Sequence, residues 1–245
     1  MIDKIKELLI PYHYSNLKRY GGNHDGGYIL AEDLLDKSDI VYSYGVGPNE
    51  GWITFDRHML SMNKKVYMYD NLINGFWTSH PNLVFKSEYV NSQNILQHVY
   101  ENKHENNTNM ILKMDIEGNE FETLLNSNTE LFTYFNQIAI EIHDLTNNHS
   151  EPQYLINTDD EHERWMNKIR LFSKLNKYFY LVHIHGNNYS DKVIDGVADV
   201  LELLYVRKDC VGVNICISKE RCPRNDLDFP NNIYKPEIIM DWWIK

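Results

Sequence analysis

Cysteine is scarce in this 245-residue sequence. It has three thiols, Cys210, Cys216 and Cys222, and no C-x-x-C pair. An odd, sparsely spaced set argues against a disulfide framework and against a structural zinc site, and fits idle thiols in a reducing compartment. No apolar run approaches the roughly 20 residues that a membrane-spanning helix needs. Positive charge is also short: 24 Lys and Arg against 35 Asp and Glu give a net charge of −11. Gripping phosphate backbones takes clustered basic residues, and here they are scattered, so neither a nucleic-acid partner nor an anionic membrane surface is expected. The first ten residues, MIDKIKELLI, carry charges throughout and do not read as a secretory signal, so a cytoplasmic location is the expectation. Internal repeats and low-complexity tracts are missing.

What is present suits one α/β domain. Hydrophobic residues make up 42% of the chain and aromatics 13%, enough for a full core. Ile2, Ile5, Leu8 and Leu9 share a helical face that Pro11 closes. Strand-like segments then recur at Ile40–Tyr44, Val66–Tyr69, Leu83–Phe85, Met110–Met114, Gln137–Ile142 and Tyr178–His185. A final pair, Leu201–Val206 and Gly212–Ile217, could form a hairpin. Helical spacing falls between them, at Phe55 and Met59, at Ile95 and Val99, at Phe121 and Leu124, and at Trp165, Ile169 and Phe172. Strands alternating with helices predict a doubly wound, mostly parallel seven-stranded sheet with an antiparallel strand near the C-terminus. In such sheets the ligand sits beyond the carboxyl ends of the strands, so chemistry is sought there.

The strand ends are unusually polar. The first runs into Tyr44-Gly45-Val46-Gly47, a turn that lets the backbone approach a ligand but lacks the third glycine of a dinucleotide site. The second ends at Asp70, which suits the two hydroxyls of a ribose or, equally, a cap on the next turn. The fourth ends in Asp115-Ile116-Glu117-Gly118-Asn119-Glu120. Asp115 and Glu117 read as functional, and Glu120 as a helix-start carboxylate. The fifth carries Glu141 and His143 on one face, and the sixth carries His183 and His185. A Glu within an apolar strand is costly unless it is paired or wet, which favours a cleft.

These strand-end residues resemble the FkbM-type methyltransferases, a branch of the Rossmann-like S-adenosylmethionine enzymes. The likeness is strongest at Lys113-Met114-Asp115-Ile116-Glu117-Gly118-Asn119-Glu120. Ile140-Glu141-Ile142-His143, His185-Gly186-Asn187-Asn188, Arg19-Tyr20-Gly21, Asp25-Gly26-Gly27-Tyr28 and Leu227–Asn232 support it. The resemblance implies S-adenosylmethionine as cofactor. Tyr44, Gly45 and Gly47 would border its methionine half, Asp70 would hold its ribose, and Asp115 would lie beside the sulfonium. Asp25, Gly26 and Gly27 would form a lid or floor near the cofactor carboxylate or the acceptor. It also implies one methyltransferase domain over residues 1–245, with 1–35 a helical cap or lid, 36–220 the Rossmann-like core and 221–245 a C-terminal extension. Pro48, following the glycine turn, departs from many relatives. Sugar hydroxyls in capsule, other surface polysaccharides or natural products are the acceptors that the resemblance suggests, with a phosphoramidate on a capsule sugar as a further one.

An alcohol is a weak nucleophile, so a base or a metal must help remove its proton. His143 is the first expected base and His185 the second, with Glu141 orienting the imidazole or acting itself. The rival device is Mg²⁺ or Mn²⁺ on Asp115, Glu141 and His143. Trp52, Trp77, Tyr189, Trp242 and Trp243 could stack on a sugar or simply pack. Two readings compete: a nicotinamide-dependent oxidoreductase on a similar fold, disfavoured by the missing glycine, and a non-catalytic cofactor-binding partner protein, disfavoured by the strand-end histidines. The oligomeric state is not legible.

Overall fold

The computed structural model describes residues 1–48, 50–73, 79–146, 160–212 and 215–244. The chain opens with α1 (Ile2–Leu8), β1 (Leu17–Tyr20), β2 (Tyr28–Ala31) and α2 (Glu32–Leu35). β3 (Ile40–Tyr44), α3 (Thr54–Ser61), β4 (Lys65–Tyr69), β5 (Leu83–Lys86), α4 (Ile95–Glu101), β6 (Met110–Met114), α5 (Glu120–Asn126), α6 (Leu131–Tyr134) and β7 (Phe135–Ile142) follow. Then come α7 (Glu161–Tyr178), β8 (Phe179–Gly186), β9 (Val193–Ile194), β10 (Val197–Ala198) and β11 (Leu201–Arg207).

Seven strands form one sheet in the order β5-β4-β3-β6-β7-β11-β8. The pairs from β5 through β7 are all parallel, and β11 runs antiparallel to both β7 and β8. This is the doubly wound sheet that the alternating pattern predicts. The central strands β6 and β7 are buried along their whole length, which is why they read as near-continuous apolar runs. The core divides accordingly. Ile5, Tyr42, Leu112, Phe121, Ile140 and Phe172 pack on one face, and Leu30, Val41, Phe55, Ile111 and Leu204 on the other.

Two sequence expectations are corrected. The N-terminal 35 residues are not a helical cap throughout: β1 and β2 form an antiparallel hairpin between α1 and α2. Four-residue strands flanking a Gly-rich turn leave too little periodicity to detect. The hairpin is tied to the sheet where the Gln137 side chain accepts from the Ala31 amide at 2.8 Å. Leu201–Val206 also does not pair with Gly212–Ile217. β11 spends both of its edges on β7 and β8, while Ile217 bridges to Tyr12 and Val213 and Asn214 lie outside the described residues. Among the described residues no helix is long and apolar enough to cross a membrane.

Candidate active site

Register assembles the site. Tyr44 pairs with Tyr69 on one side and Met114 on the other, and Met114 pairs with Ile140. The next residues along, Gly45, Asp70, Asp115 and Glu141, therefore emerge at one level. The ladder continues through them: the Gly45 amide donates to the Tyr69 carbonyl at 3.0 Å, and the Asp115 amide to the Tyr44 carbonyl at 2.9 Å. Beyond these tips lies a cleft of about 790 Å³, within the usual range for a cofactor-sized ligand. Asp25, Gly26, Gly45, Gly47, Asp70, Asp115, Glu141 and His143 all line it. Glu117, Glu88, Leu72, Tyr89, Val90 and Trp52 complete much of the wall.

The glycine turn is shaped by protein contacts. Gly45 has φ +72°, and a Cβ there would fall 1.5 Å from the Asp115 carbonyl oxygen. Gly47 has φ +70°, and its Cβ would fall 2.5 Å from the Trp52 ring. Both residues must be glycine for the turn to fit against β6 and Trp52. Asp70 holds the same turn: one oxygen accepts from the Val46 and Gly47 amides, both at 2.9 Å, and the other from Leu72 at 2.7 Å. The capping role that sequence left open for Asp70 is thus filled, with one lone-pair direction remaining for a ligand. Glu88 escaped the sequence reading. It stands two residues beyond β5, its Oε1 fixed by Asn94 at 3.0 Å and His98 at 3.2 Å.

Lys113 is 2% exposed and points along the strand end, donating to the Gly45 carbonyl at 2.5 Å and lying 3.5 Å from Asp115. Tyr28, from the hairpin, donates to the same Asp115 oxygen at 2.9 Å. Asp115 is therefore aimed by β2 and β6 together. Asp25 joins from the loop after β1, where burial, followed by the charges of Asp115 and Glu202, pushes its carboxyl up to about 6.

His143 is the centre of an anionic group. Its Nδ1 lies 3.2 Å from Glu120 Oε1. Its Nε2 faces Glu117 at 3.6 Å, Glu141 at 3.6 Å and Asp115 at 3.9 Å. Burial alone would lower its pKa, but the charges of Glu120, Glu141 and Asp115 outweigh that and raise it well above the ordinary imidazole value. Burial, then the neighbouring Asp115 charge, raises Glu141 well above the usual carboxylate range. Glu141 also accepts from Asn187 at 2.7 Å, so its side chain is engaged toward β8. Donor atoms of Asp115, Glu117 and His143 lie within 4.8 Å of one another. Asp115 and His143 of the metal set expected from sequence fall in this cluster, and the fourth carboxylate, Glu141, also lies 3.6 Å from His143 Nε2.

Three expected site residues are not brought to the cleft. The Tyr44 side chain is fully buried, its hydroxyl 3.2 Å from His98 Nδ1. Gly27 packs against the Gly22 carbonyl and the Arg19 guanidinium. His185 is fully buried between Glu202 at 2.8 Å and Glu237 at 3.2 Å, and His183 pairs with Asp228 at 3.0 Å. Insertion of β11 between β7 and β8 separates these two histidines from His143, a spacing that the sequence order hides. Trp242 and Trp243 donate to the Lys6 and Glu220 carbonyls, whereas Trp52 is 44% exposed at the cleft and Tyr189 is also exposed. Trp77 lies outside the described residues.

The family model of the methyltransferase FkbM domain matches residues 25–180. A search of curated proteins finds no match. Among solved structures, the chain is similar to the fibrillarin pre-rRNA processing protein of Methanococcus jannaschii, at 10% identity over 71% of this chain and 68% of that one, with a TM-score of 0.41. It is also similar to a 16S rRNA (adenine(1408)-N(1))-methyltransferase of Catenulisporales acidiphilia bound to its cosubstrate, at 11% identity over 79% of this chain and 98% of that one, with a TM-score of 0.38.

Proposed function

We propose, from the premise that the chain belongs to the FkbM methyltransferase family and is an S-adenosylmethionine-dependent methyltransferase, that the acceptor atom is an oxygen and that His143 removes its proton. The observation that carries this reading is the position of His143 Nε2 on the cleft wall, among three carboxylates and beside the strand end bearing Asp115. S-adenosylmethionine, when bound, supplies an electrophilic methyl group on a cationic sulfonium. The walls suit such an amphiphile: Leu72, Tyr89 and Val90 offer an apolar side, while Asp25, Asp115 and Glu117 offer negative charge. Asp115, held by Tyr28 and Lys113, would lie beside the positive centre. The remaining acceptor site on Asp70 and the free oxygen of Glu88 serve the nucleoside. Above its raised pKa, where the ring is neutral, His143 takes the hydroxyl proton at Nε2 and keeps it beside Glu117 and Glu141. Positioning of the acceptor contributes the larger part of the rate.

A sugar hydroxyl, in capsule or other surface polysaccharide or in a natural product, is the acceptor that we favour. Trp52, exposed at the cleft, offers a ring for a sugar face. A phosphoramidate substituent of a capsule sugar is the alternative of the same class. RNA, the substrate named for the rRNA methyltransferase above, is disfavoured by a net charge of −11. A divalent cation, Mg²⁺ or Mn²⁺, is the second reading of the same wall, supported by the tight Asp115, Glu117 and His143 cluster. It would supply Lewis acidity to the acceptor hydroxyl.

Calorimetry and turnover in chelator test these points together. S-adenosylmethionine and S-adenosylhomocysteine should bind and NAD should not. Asp115→Asn should weaken S-adenosylmethionine at least tenfold, and His143→Gln should abolish transfer while leaving S-adenosylhomocysteine binding intact. Full turnover in chelator rules out the cation; parental turnover by His143→Gln rules out the base.

A further inference from the structure

Glu120 looks ordinary in the sequence, an acidic residue at the start of a helix. Its surroundings are not those of a solvated helix-start carboxylate. The residue is fully buried at the first position of α5. One oxygen accepts from the Ile116 amide at 2.9 Å, both approach the Gly118 amide at 3.1–3.2 Å, and Oε1 also meets His143 Nδ1 at 3.2 Å. The two amides belong to the turn that carries Glu117 at φ +55° and Gly118 at φ +101°. A left-handed Glu is a costly backbone choice, and the residue that adopts it, Glu117, lines the cleft.

We propose that Glu120 is the positioning residue of the site: a single buried carboxylate that clamps the Ile116–Gly118 turn and, by accepting the Nδ1 proton of His143, fixes the ring as the tautomer whose Nε2 lone pair faces the cleft. The proposal rests on the reading of His143 as the group that works at the acceptor. A carboxylate has no proton to give Nδ1, so the neutral ring must donate there, and its basic nitrogen is then Nε2. The same contact would orient Nε2 if a cation bound it, as carboxylates behind ligating histidines do. Asp115, Glu117 and His143 come from two strand ends 28 residues apart, and Glu120 links them by direct hydrogen bonds to the turn and to the ring.

Glu120→Gln is the decisive variant. A carboxamide that turns its NH₂ toward Nδ1 inverts the tautomer and keeps its oxygen for the Gly118 amide, at the expense of the Ile116 hydrogen bond, because Ile116 and Nδ1 share Oε1. In triads built on this logic the wrong tautomer is severely damaging. We expect kcat to fall by about 10² to 10⁴-fold, with KM for the acceptor and Kd for S-adenosylhomocysteine within threefold of the parent, and with the ¹⁵N shifts of the neutral His143 ring reporting a proton on Nε2. Glu120→Asp, which keeps the charge, should recover part of kcat and the parental tautomer, and it supplies the same readouts if the Gln variant does not fold. Retention of the Nδ1–H tautomer in Glu120→Gln, or its inversion with kcat unchanged, would overturn the proposal. His143→Gln assayed alongside separates the two failures: parental turnover there sinks the base reading and this proposal with it, whereas a dead His143→Gln beside a fully active Glu120→Gln sinks the positioning role alone.

Discussion

Carboxylate-bound histidines in this chain serve two different ends, and their surroundings show which. His143 keeps one nitrogen on the cleft wall and the other on Glu120. His185 has both nitrogens committed, to Glu202 and Glu237. Burial alone would lower its pKa, but the hydrogen bonds to those two carboxylates raise it to about 10. The folded state thus holds a proton that the unfolded chain, with an ordinary imidazole near 6.5, releases. Between those values the native state binds more protons than the unfolded one, so stability falls as pH rises. The stabilisation from His185 is fully present below about pH 6.5 and is lost through pH 10. His185→Gln should be markedly less stable than the parent at pH 6.5, by a few kcal/mol at most, with the gap closing toward pH 10 in urea melts. A gap that stays constant across that range would mean that the imidazolium contributes nothing.

The turns at the strand ends show where sequence reading succeeds and where it stops. β3, β4, β6 and β7 were legible because strands buried on both faces are written as short apolar runs that end in polar residues, and parallel register then brings those ends level. Asp115, Glu141 and His143 could be placed at one crevice on that ground alone. Partners distant in sequence could not: Tyr28 on Asp115, Asn187 on Glu141 and Glu120 on His143 depend on packing that no local period encodes. Nor could the work of Gly45 be read. Sequence offers ligand approach, whereas the geometry shows a turn jammed against the Asp115 carbonyl. Gly45→Ala therefore combines left-handed strain with a backbone clash and should cost at least about 3 kcal/mol. Gly196 is the control, because its φ is +79° and a Cβ there would meet nothing within 4 Å. Gly196→Ala should cost only the left-handed term, about 1 kcal/mol. Equal losses for the two variants in denaturant titrations would show that the contact with Asp115 is not what requires glycine at position 45.

Over the whole molecule, the excess of acid is both diffuse and focused. The net charge of −11 is spread over the chain, but Asp25, Asp115 and Glu117 converge on one cleft whose other wall carries the apolar Leu72, Tyr89 and Val90. A low-dielectric pocket lined by one sign of charge concentrates field and attracts ligands of the other sign. S-adenosylmethionine carries one more positive charge than S-adenosylhomocysteine, from which it differs by the transferred methyl, so the pair separates electrostatics from shape. Screening grows as the Debye length shrinks from roughly 10 Å at 0.1 M salt to about 3 Å at 1 M. Raising NaCl across that range should weaken S-adenosylmethionine severalfold in calorimetry while leaving S-adenosylhomocysteine nearly unchanged. The association rate should carry most of the loss, because screening acts on the approach of the ligand more than on contacts already made. Neutralising Glu117, the most exposed of the four carboxylates flanking His143, should remove part of that salt dependence without altering the affinity for S-adenosylhomocysteine. Parallel losses for both ligands would place the source of affinity in the apolar wall and leave the carboxylates to the acceptor side of the reaction.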